Sequence, residues 1–369
     1  AAAAEAILSA ANPIFVCGGG PVIAGAEAEL QVLAELLEMP VATTISGQGC
    51  IFEDHPLAAG VVGSNGGTPE TRALVDRADL VAFVGCRAGS VTTERWRHPA
   101  PGKVRVVHID VDPAVIGANY PTEVAVVGDA RLALAALKDE VARLVGGPPA
   151  RSGGLSRAAV ARARSEKFGA FEELARSDQV PIRPERIVAT LQALLPAEAV
   201  IVADAGTPCP YFSAYYQQRA AGRQFISNRA HGALGYALPA AVGAKIGRPE
   251  APCVAIMGDG SFGFASGELE TVGRLGLSVT MVVIANASFG WIKAGQRSGF
   301  EGRYFAVDFS PGQHARIAEA YGIRSWRVEA PADLNPALAK ALAVDGPALV
   351  EVVTQPLEEA RAPVSEWVA

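Results

Sequence analysis

The chain has 369 residues, of which 50% are hydrophobic and 19% are charged, and its formal net charge is −6. This length suggests two domains that can each bury a core, and the hydrophobic content excludes intrinsic disorder. The modest negative charge gives no electrostatic reason to expect nucleic acid or an anionic membrane as a partner.

Two strand–helix series follow one another along the chain, and the first occupies residues 1–147. Its apolar runs are short and rich in β-branched residues, which predicts strands, and helical spacing appears between them. The predicted strands are Pro13–Cys17, Val41–Thr44, Ala78–Gly85 and Val104–Asp110, and the predicted helices are Ala26–Glu38 and Arg131–Leu144. Apolar strands that alternate with helices are typical of a parallel sheet covered on both faces.

The second series occupies residues 181–369, after a linker and a helical stretch over 148–180. The segment Val145–Gly154 holds four glycines and two prolines and is the strongest break in the pattern. Beyond it, the predicted helices are Pro184–Leu195, Ala233–Ala244 and Ala265–Leu275, and the predicted strands are Ala199–Ala203, Pro252–Met257, Ser278–Ala285 and Leu349–Val353. The predicted fold class is therefore α/β, with two doubly wound parallel-sheet domains.

The five cysteines lie far apart and form no CxxC pair: Cys17, Cys50, Cys86, Cys209 and Cys253. Three of them lie in or beside apolar runs, so we interpret them as reduced core thiols of a cytoplasmic protein. No apolar run approaches the roughly 20 residues of a spanning helix, and the alanine-rich start lacks the basic residues of a signal peptide. We therefore expect neither a membrane span nor a disulfide framework.

Polar residues follow two of the predicted strands in the second series. The loop Gly258–Ser261, with the sequence GDGS, follows one strand, and the next strand, one helix later, ends at Asn286. Ligands of open α/β sheets bind beyond the carboxyl ends of the strands, and neighbouring strands lie about 4.8 Å apart. Asp259 and Asn286 could therefore share a cation. One carboxylate, one amide oxygen and a backbone carbonyl, completed by phosphate oxygens, satisfy Mg²⁺.

The whole segment Gly258–Asn286 resembles the cofactor motif of thiamine-diphosphate-dependent enzymes, which opens with GDG and closes with two asparagines. Ala285 replaces the first asparagine, whereas Asn286 is the one expected to hold the metal. The resemblance implies that Mg²⁺ is held by Asp259, Asn286 and the backbone carbonyl of Ser288. The other residues placed around the diphosphate of thiamine diphosphate are Gly258, Gly260, Ser261, Phe289 and Gly290.

The segment His231–Ala241, with the sequence HGALGYALPAA, is similar to the GxMGYGLPAA segment of acetohydroxyacid synthases and related decarboxylases. The resemblance implies that Leu234, two residues after Gly232, wedges under the cofactor and bends it. The alternative is that Leu234 is a core residue of a helix. His231 either meets the substrate or the aminopyrimidine ring, or is an ordinary loop histidine.

The resemblance also implies roles for two further segments. Relatives hold diphosphate oxygens just after the strand Ala199–Ala203, which implies backbone groups of Gly206 and Thr207. In relatives, the segment that corresponds to the one beginning at Phe289 folds as a lid over the substrate. Alternatively, Phe289 packs against a partner subunit.

Residues 1–145 resemble the central domain of the same superfamily, which binds FAD in acetohydroxyacid synthases and ADP in oxalyl-CoA decarboxylase. The matching segments are Cys17–Gly20, Val84–Arg87 and His108–Pro113. Gly18–Ile23 does not satisfy GxGxxG, because Ile23 stands where the third glycine belongs, so we expect no nicotinamide site. This domain either binds FAD or ADP or is purely structural.

Members of the family normally begin with a pyrimidine-binding domain, whose glutamate activates the aminopyrimidine ring. The present sequence starts directly at the central domain. Since the azolium carbon is a weak acid that needs this activation, we expect that domain on a separate subunit or in a longer form of the chain. The working assembly would be a dimer or tetramer of pairs, each formed by this chain and a pyrimidine-binding subunit.

The leading functional hypothesis is a carboligase or decarboxylase of the acetolactate synthase type, acting on a 2-oxoacid such as pyruvate. The alternatives are a 2-hydroxyacyl-CoA lyase and a benzoylformate-type decarboxylase. A hypothesis of another class is a nucleotide-binding or regulatory protein that kept the fold without the reaction. Such a relic would show no Mg²⁺-dependent binding of thiamine diphosphate.

Overall fold

The structure is a computed structural model that describes residues 1–146, 154–228, 231–357, 359–360 and 362–365. The chain forms two compact units: unit 1 comprises Ala1–Gly169 with Gln217–Arg223, and unit 2 comprises Ala170–Tyr216 with Gln224–Ala369. Most of the predicted linker Val145–Gly154 lies outside the described residues. None of the described helices is both long enough and apolar enough to cross a membrane.

Unit 1 is built on a six-stranded parallel sheet with the order β3-β2-β1-β4-β5-β6. The strands are β1 (Pro13–Cys17), β2 (Val41–Thr43), β3 (Ala58–Val61), β4 (Leu80–Val84), β5 (Arg105–Asp110) and β6 (Val124–Val127). The helices are α1 (Ala2–Ser9), α2 (Gly20–Ala24), α3 (Glu27–Leu37), α4 (Pro69–Asp76), α5 (Ala130–Leu144) and the first part of α6 (Arg157–Ala175). Alternate residues of β1 enter two cores, one shared with α1, α3 and α5 and the other with α4 and α6. Both faces of the sheet are therefore covered, as the apolar strands predicted.

Unit 2 contains a second six-stranded parallel sheet with the order β11-β12-β10-β9-β7-β8. The strands are β7 (Val200–Ala203), β8 (Phe225–Ser227), β9 (Cys253–Gly258), β10 (Val279–Ala285), β11 (Arg324–Val328) and β12 (Ala348–Val353). The helices are α7 (Pro184–Leu194), α8 (Pro208–Tyr215), α9 (Ala237–Gly247), α10 (Asp259–Ala265), α11 (Glu268–Leu275), α12 (Gly290–Gly299), α13 (His314–Ala320) and α14 (Pro331–Leu342). The predicted α/β class with two parallel sheets is confirmed.

The strand order of unit 2 reverses direction between β7 and β9. From β7 the chain moves outward to β8, and it then crosses back to β9 and continues to β10 on the other side. A reversal of this kind opens a crevice at the carboxyl ends of the two strands, which is where open α/β sheets bind ligands. The residues that follow β7, β9 and β10 therefore meet at the natural binding edge of this sheet.

Two predicted helices of unit 2 were wrong at their boundaries. The helix predicted from Ala233 begins at Ala237, because Gly235 has φ +79°, a conformation outside the α-helix. The helix predicted over Ala265–Leu275 ends at Leu275 as predicted but begins only at Glu268, as α11. Glycine is a poor helix former, and Gly267 directly precedes that start. A separate helix, α10, occupies Asp259–Ala265.

The five cysteines are all buried and form no disulfide. Cys17 lies at the end of β1 and Cys253 at the start of β9, so both belong to strand cores. Burial raises the pKa of the Cys17 thiol well above its ordinary value, with further contributions from the neighbouring thiols of Cys50 and Cys86. Such thiols are poor nucleophiles, which agrees with their prediction as core residues.

Candidate functional site: the carboxyl edge of the second sheet

The strands β9 and β10 are direct neighbours, so the predicted adjacency of their carboxyl ends is confirmed. Their register pairs Ile284 with Gly258, so Asp259 lies one residue and Asn286 two residues beyond the last pair. The backbone N–H of Asn286 donates to the Asp259 carboxylate over 3.0 Å. The structure therefore brings the two predicted metal ligands together.

The Asp259 carboxylate is held in a fixed orientation by backbone donors. Its Oδ1 accepts from the Gly260 N–H at 2.8 Å, and its Oδ2 accepts from the N–H groups of Asn286 and Ala287 at 3.0 and 2.6 Å. Burial raises the pKa of Asp259, and these three hydrogen bonds and the charge of His314 oppose the rise. A carboxylate has about four acceptor positions. One therefore remains on Oδ1 for a further ligand.

The turn after β10 presents Asn286 and Ser288 beside that carboxylate. Ala287, between them, has φ +54°, a left-handed conformation that costs an alanine roughly 1 kcal/mol. The Ser288 hydroxyl donates to Asn286 Oδ1 over 3.4 Å, and Ser288 forms an antiparallel bridge with Asp308. The strained turn is thus fixed from two sides.

The donor set of this edge fits Mg²⁺. Asn286 Nδ2 is buried and has no hydrogen-bond partner within the described part of the chain, so the amide group is not fully satisfied by protein contacts. Asp259, Asn286 and the Ser288 backbone offer a carboxylate, an amide oxygen and a carbonyl, all hard oxygen ligands. The described residues contain no cluster of three or more His, Cys, Asp or Glu side chains able to hold a metal. Diphosphate oxygens would therefore have to complete the shell.

Two aromatic rings lie over the first turn of α10. Phe289 and Phe309 pack edge to face, with ring centroids 4.5 Å apart, and a Cβ at Gly260 would lie only 2.6 Å from Phe289 Cε1. A cavity of about 360 Å³ lies here, lined by Asp259, Gly260 and both rings among others. Phe289 thus covers the loop that the family resemblance assigned to the diphosphate.

Leu234 lies in a turn before α9 and not within a helix, which rules out the reading of Leu234 as a helix core residue. Its Cδ2 is 3.7 Å from the position of a Cβ on Gly206, so the two predicted cofactor-binding positions are in contact range. Gly232 has φ +61° and is exposed, as is His231. The turn therefore presents a half-buried leucine next to the segment that follows β7.

Thr207 and Gly290 meet on the same edge. Thr207 is 6% exposed, and a Cβ on Gly290 would lie 3.3 Å from Thr207 Oγ1 and 3.2 Å from Asn286 Nδ2. The absence of a side chain at Gly290 therefore lets the segments after β7 and β10 approach each other. Ser261, the last residue of the GDGS loop, is buried, and its hydroxyl accepts from the Gly235 N–H at 3.4 Å.

Sequence reasoning missed the role of Asp204, which follows β7 and is fully buried. Its Oδ1 accepts from the N–H groups of Tyr236 and Ala237 at 2.9 and 3.0 Å, and so joins the end of β7 to the start of α9. Burial raises the pKa of Asp204 to about 6, and the hydrogen bonds from the Ala237 and Tyr236 N–H groups oppose the rise. The partners lie about thirty residues away, so no local pattern could have revealed them.

Asp204→Asn is expected to stabilise the protein near pH 8. The unfolded-state pKa of an aspartate is about 3.9, so the folded state takes up a proton between about pH 6 and pH 4. The cost of burying the charge is present above pH 6 and disappears as the pH falls towards 4. The variant should gain roughly 2–3 kcal/mol at pH 8, and the gain should vanish near pH 4. Urea unfolding across this range measures it, and a constant difference would contradict it.

A second missed cluster surrounds Glu351, a fully buried residue of β12. Its carboxylate accepts from His314 Nδ1 and the Ala315 N–H, each at 3.0 Å, and from an Arg327 guanidinium N–H. Burial opposes ionisation of Glu351, but His314, the Ala315 N–H and Arg327 outweigh it and lower its pKa. His314 also lines the cavity beside Asp259. The cluster therefore fixes one wall of the site.

The glycines at the end of β1 in unit 1 are explained by backbone packing. A Cβ on Gly18 would lie 2.1 Å from the Gly85 carbonyl oxygen, and one on Gly20 would lie 2.5 Å from Gly85 Cα. Only glycine permits so close an approach of the two loops. These contacts account for the glycines without a bound FAD or ADP.

Comparisons with known proteins match both halves of the chain. A family model described as "Thiamine pyrophosphate enzyme, central domain" matches residues 1–137, and one described as "Thiamine pyrophosphate enzyme, C-terminal TPP binding domain" matches residues 204–352. The second match begins at Asp204 and includes both predicted metal-ligand side chains.

Curated relatives are similar over most of the chain. The probable acetolactate synthase large subunit of Methanococcus aeolicus is 32% identical over 362 residues, which are 96% of this chain and 60% of that protein. The sulfoacetaldehyde acetyltransferase of Rhodobacter capsulatus is 32% identical over 368 residues, 92% of this chain and 60% of that protein. The chain thus spans about 60% of the length of the relatives it matches. With two domains of one family matched in order, the chain belongs to the thiamine pyrophosphate enzymes.

Proposed function

We propose that this chain carries the metal- and diphosphate-binding part of a thiamine-diphosphate-dependent carboligase or decarboxylase that acts on 2-oxoacids. The observation that carries the proposal is the meeting of Asp259 and Asn286 beyond two adjacent strands. The similarity to acetolactate synthases supports the substrate class. Thiamine diphosphate, when bound, supplies a carbon nucleophile and a sink for the electrons of the carbon–carbon bond that breaks.

The residues of this chain would hold and orient the cofactor. Asp259, Asn286 and the Ser288 carbonyl would ligate Mg²⁺, which in turn fixes the diphosphate. Glycines and small residues leave the main chain accessible, so they would let backbone groups approach the phosphates. The residues in question are Gly206, Thr207, Gly232, Gly258, Gly260, Ser261 and Gly290. Leu234 would support the cofactor between its two rings.

The remaining proposed roles are the exclusion of water from the site and the contact with the substrate. Phe289 would exclude water from the metal, and His231, which is exposed beside the turn, would face the substrate. We propose that the pyrimidine-binding domain, with its activating glutamate, is supplied from outside these 369 residues, by a separate subunit or by a further part of the same protein. The protein would act in the cytoplasm as a dimer or tetramer, in which each copy of this chain is paired with a pyrimidine-binding domain.

A second candidate is transfer of an acetyl group, favoured by the equal similarity to the sulfoacetaldehyde acetyltransferase. Both candidates use the same metal and diphosphate residues and differ in the acyl donor. Pyruvate and sulfoacetaldehyde, offered separately to the complete assembly, would distinguish them by which is consumed.

The proposal is tested by titrating the purified chain with thiamine diphosphate in a calorimeter, with Mg²⁺ and with EDTA. We expect binding that requires the metal, because the diphosphate is held through it. A complex with a pyrimidine-binding domain should then consume pyruvate, while the chain alone should not. Binding of equal strength in EDTA, or no binding at all to the complex, would contradict the proposed function.

A further inference from the structure

We propose that Asp204 is a positioning residue for Leu234, acting through the turn that joins them to helix α9. The inference rests on the proposed function, in which Leu234 supports the cofactor. Asp204 is not among the described residues that line the cavity beside Asp259, and its carboxylate accepts from the N–H groups of the two residues that follow Gly235.

The first support is the direction of these hydrogen bonds. The N-terminus of α9 has no side-chain cap from its own N-cap residue, Tyr236. Asp204 supplies the acceptor instead, from the end of β7 and 32 residues earlier in the chain. A cap is usually a local residue. A cap delivered by a neighbouring strand ties the position of the turn to the sheet.

The second support is the conformational freedom of the turn formed by residues 232–235. Gly232 and Gly235 have φ values of +61° and +79°, and Leu234 lies between them. Glycines at both ends give the segment many accessible conformations. Two sets of hydrogen bonds hold the turn. The residues just after it donate to Asp204, and the Gly235 N–H donates to Ser261 in the GDGS loop. The leucine is therefore placed by contacts to the ends of both β7 and β9.

The third support is an unsatisfied atom. Asp204 is fully buried, yet its Oδ2 has no hydrogen-bond partner among the residues that the structure describes. Burial of an unpaired carboxylate oxygen is costly. The residue that holds the turn therefore lowers the stability of the fold, which is not expected of a cap that serves stability alone.

The test uses two probes with the intact chain: Mg²⁺ with thiamine diphosphate, and Mg²⁺ with inorganic pyrophosphate. Pyrophosphate needs the metal site but not the leucine. Asp204→Ala and Leu234→Ala should each weaken thiamine diphosphate binding about tenfold and change pyrophosphate binding by less than about twofold. The double variant should lose no more than either single variant, because the two changes remove one interaction.

The conservative variant Asp204→Asn is the matched control. Its amide oxygen can accept the same two N–H groups, so it should restore wild-type binding of thiamine diphosphate. If Asp204→Ala weakens both probes equally, Asp204 is only a structural cap and the inference is wrong. Additive losses in the double variant would also overturn it. If the wild-type chain binds neither probe in a Mg²⁺-dependent manner, the proposed function itself fails.

Discussion

Asp259→Ala is expected to weaken Mg²⁺-dependent binding of thiamine diphosphate by more than about 100-fold. The carboxylate is the one charged protein ligand proposed for the metal, and loss of a group merely supporting a metal ligand already costs about 10–100-fold. Calorimetric titration with Mg²⁺ and inorganic pyrophosphate measures the same loss without the organic part of the cofactor.

Controls separate the loss of a metal ligand from damage to the fold. Asp259→Asn keeps the shape and can still accept from Asn286 and Ala287, so its fold should persist while its affinity for the hard cation falls. Asp308→Ala removes a nearby exposed carboxylate that pairs with Lys293 at 2.7 Å, and it should bind normally. Unchanged affinity in Asp259→Ala would count against the site.

Glu351→Ala is expected to destabilise unit 2 by about 2–4 kcal/mol, because two buried donors lose their acceptor at about 1–3 kcal/mol each. The substitution leaves the His314 ring, the Arg327 guanidinium and the Ala315 N–H without the buried carboxylate that accepts from all three. The Ala315 N–H and the His314 ring lose a buried acceptor, whereas the Arg327 side chain is 34% exposed and keeps its pairing with Glu329. The expected cost is therefore that of buried donors left without an acceptor. Urea unfolding followed by circular dichroism measures the change in the free energy of unfolding.

Glu329→Ala provides the matched control for this prediction. Glu329 also pairs with Arg327, at 2.7 Å, but its side chain is 65% exposed. An exposed pair contributes about 0–1 kcal/mol, so this variant should unfold almost like the wild type. Because the pKa of Glu351 is lowered, its stabilisation is complete above the unfolded-state value of about 4.3 and is lost as the pH falls through the folded-state value. Similar losses in both variants would contradict the account of the cluster.

The fold could be predicted from the sequence wherever burial alone determines structure. Strands such as β1 and β10 are buried along their whole length and therefore read as continuous apolar runs. Half-exposed strands carry no such pattern: β8 has two half-buried residues out of three and β6 alternates between half-buried and exposed positions, and neither was predicted. Helix starts were least accurate where tertiary hydrogen bonds define them, as Asp204 does for Ala237.

The residues of the candidate site also differ in whether the sequence alone could predict their roles. Asp259 and Asn286 could be predicted because each directly follows a recognisable strand and one crossover joins the two. Asp204 and Glu351 could not be assigned roles, since their partners are 24 to 37 residues away and depend on the folded packing. The functional assignment of Leu234, His231 and the glycines remains a prediction that the binding experiments test.

Diffraction from crystals of the complete assembly, grown with Mn²⁺ in place of Mg²⁺ and with thiamine diphosphate, tests the central claim most directly. Manganese accepts the same octahedral oxygen ligands and gives an anomalous signal that locates it. We predict one anomalous peak between the Asp259 carboxylate, the Asn286 amide oxygen and the Ser288 carbonyl, in contact with the diphosphate. A diphosphate bound elsewhere, or side chains of Asp259 and Asn286 that face apart with no peak between them, would contradict the account.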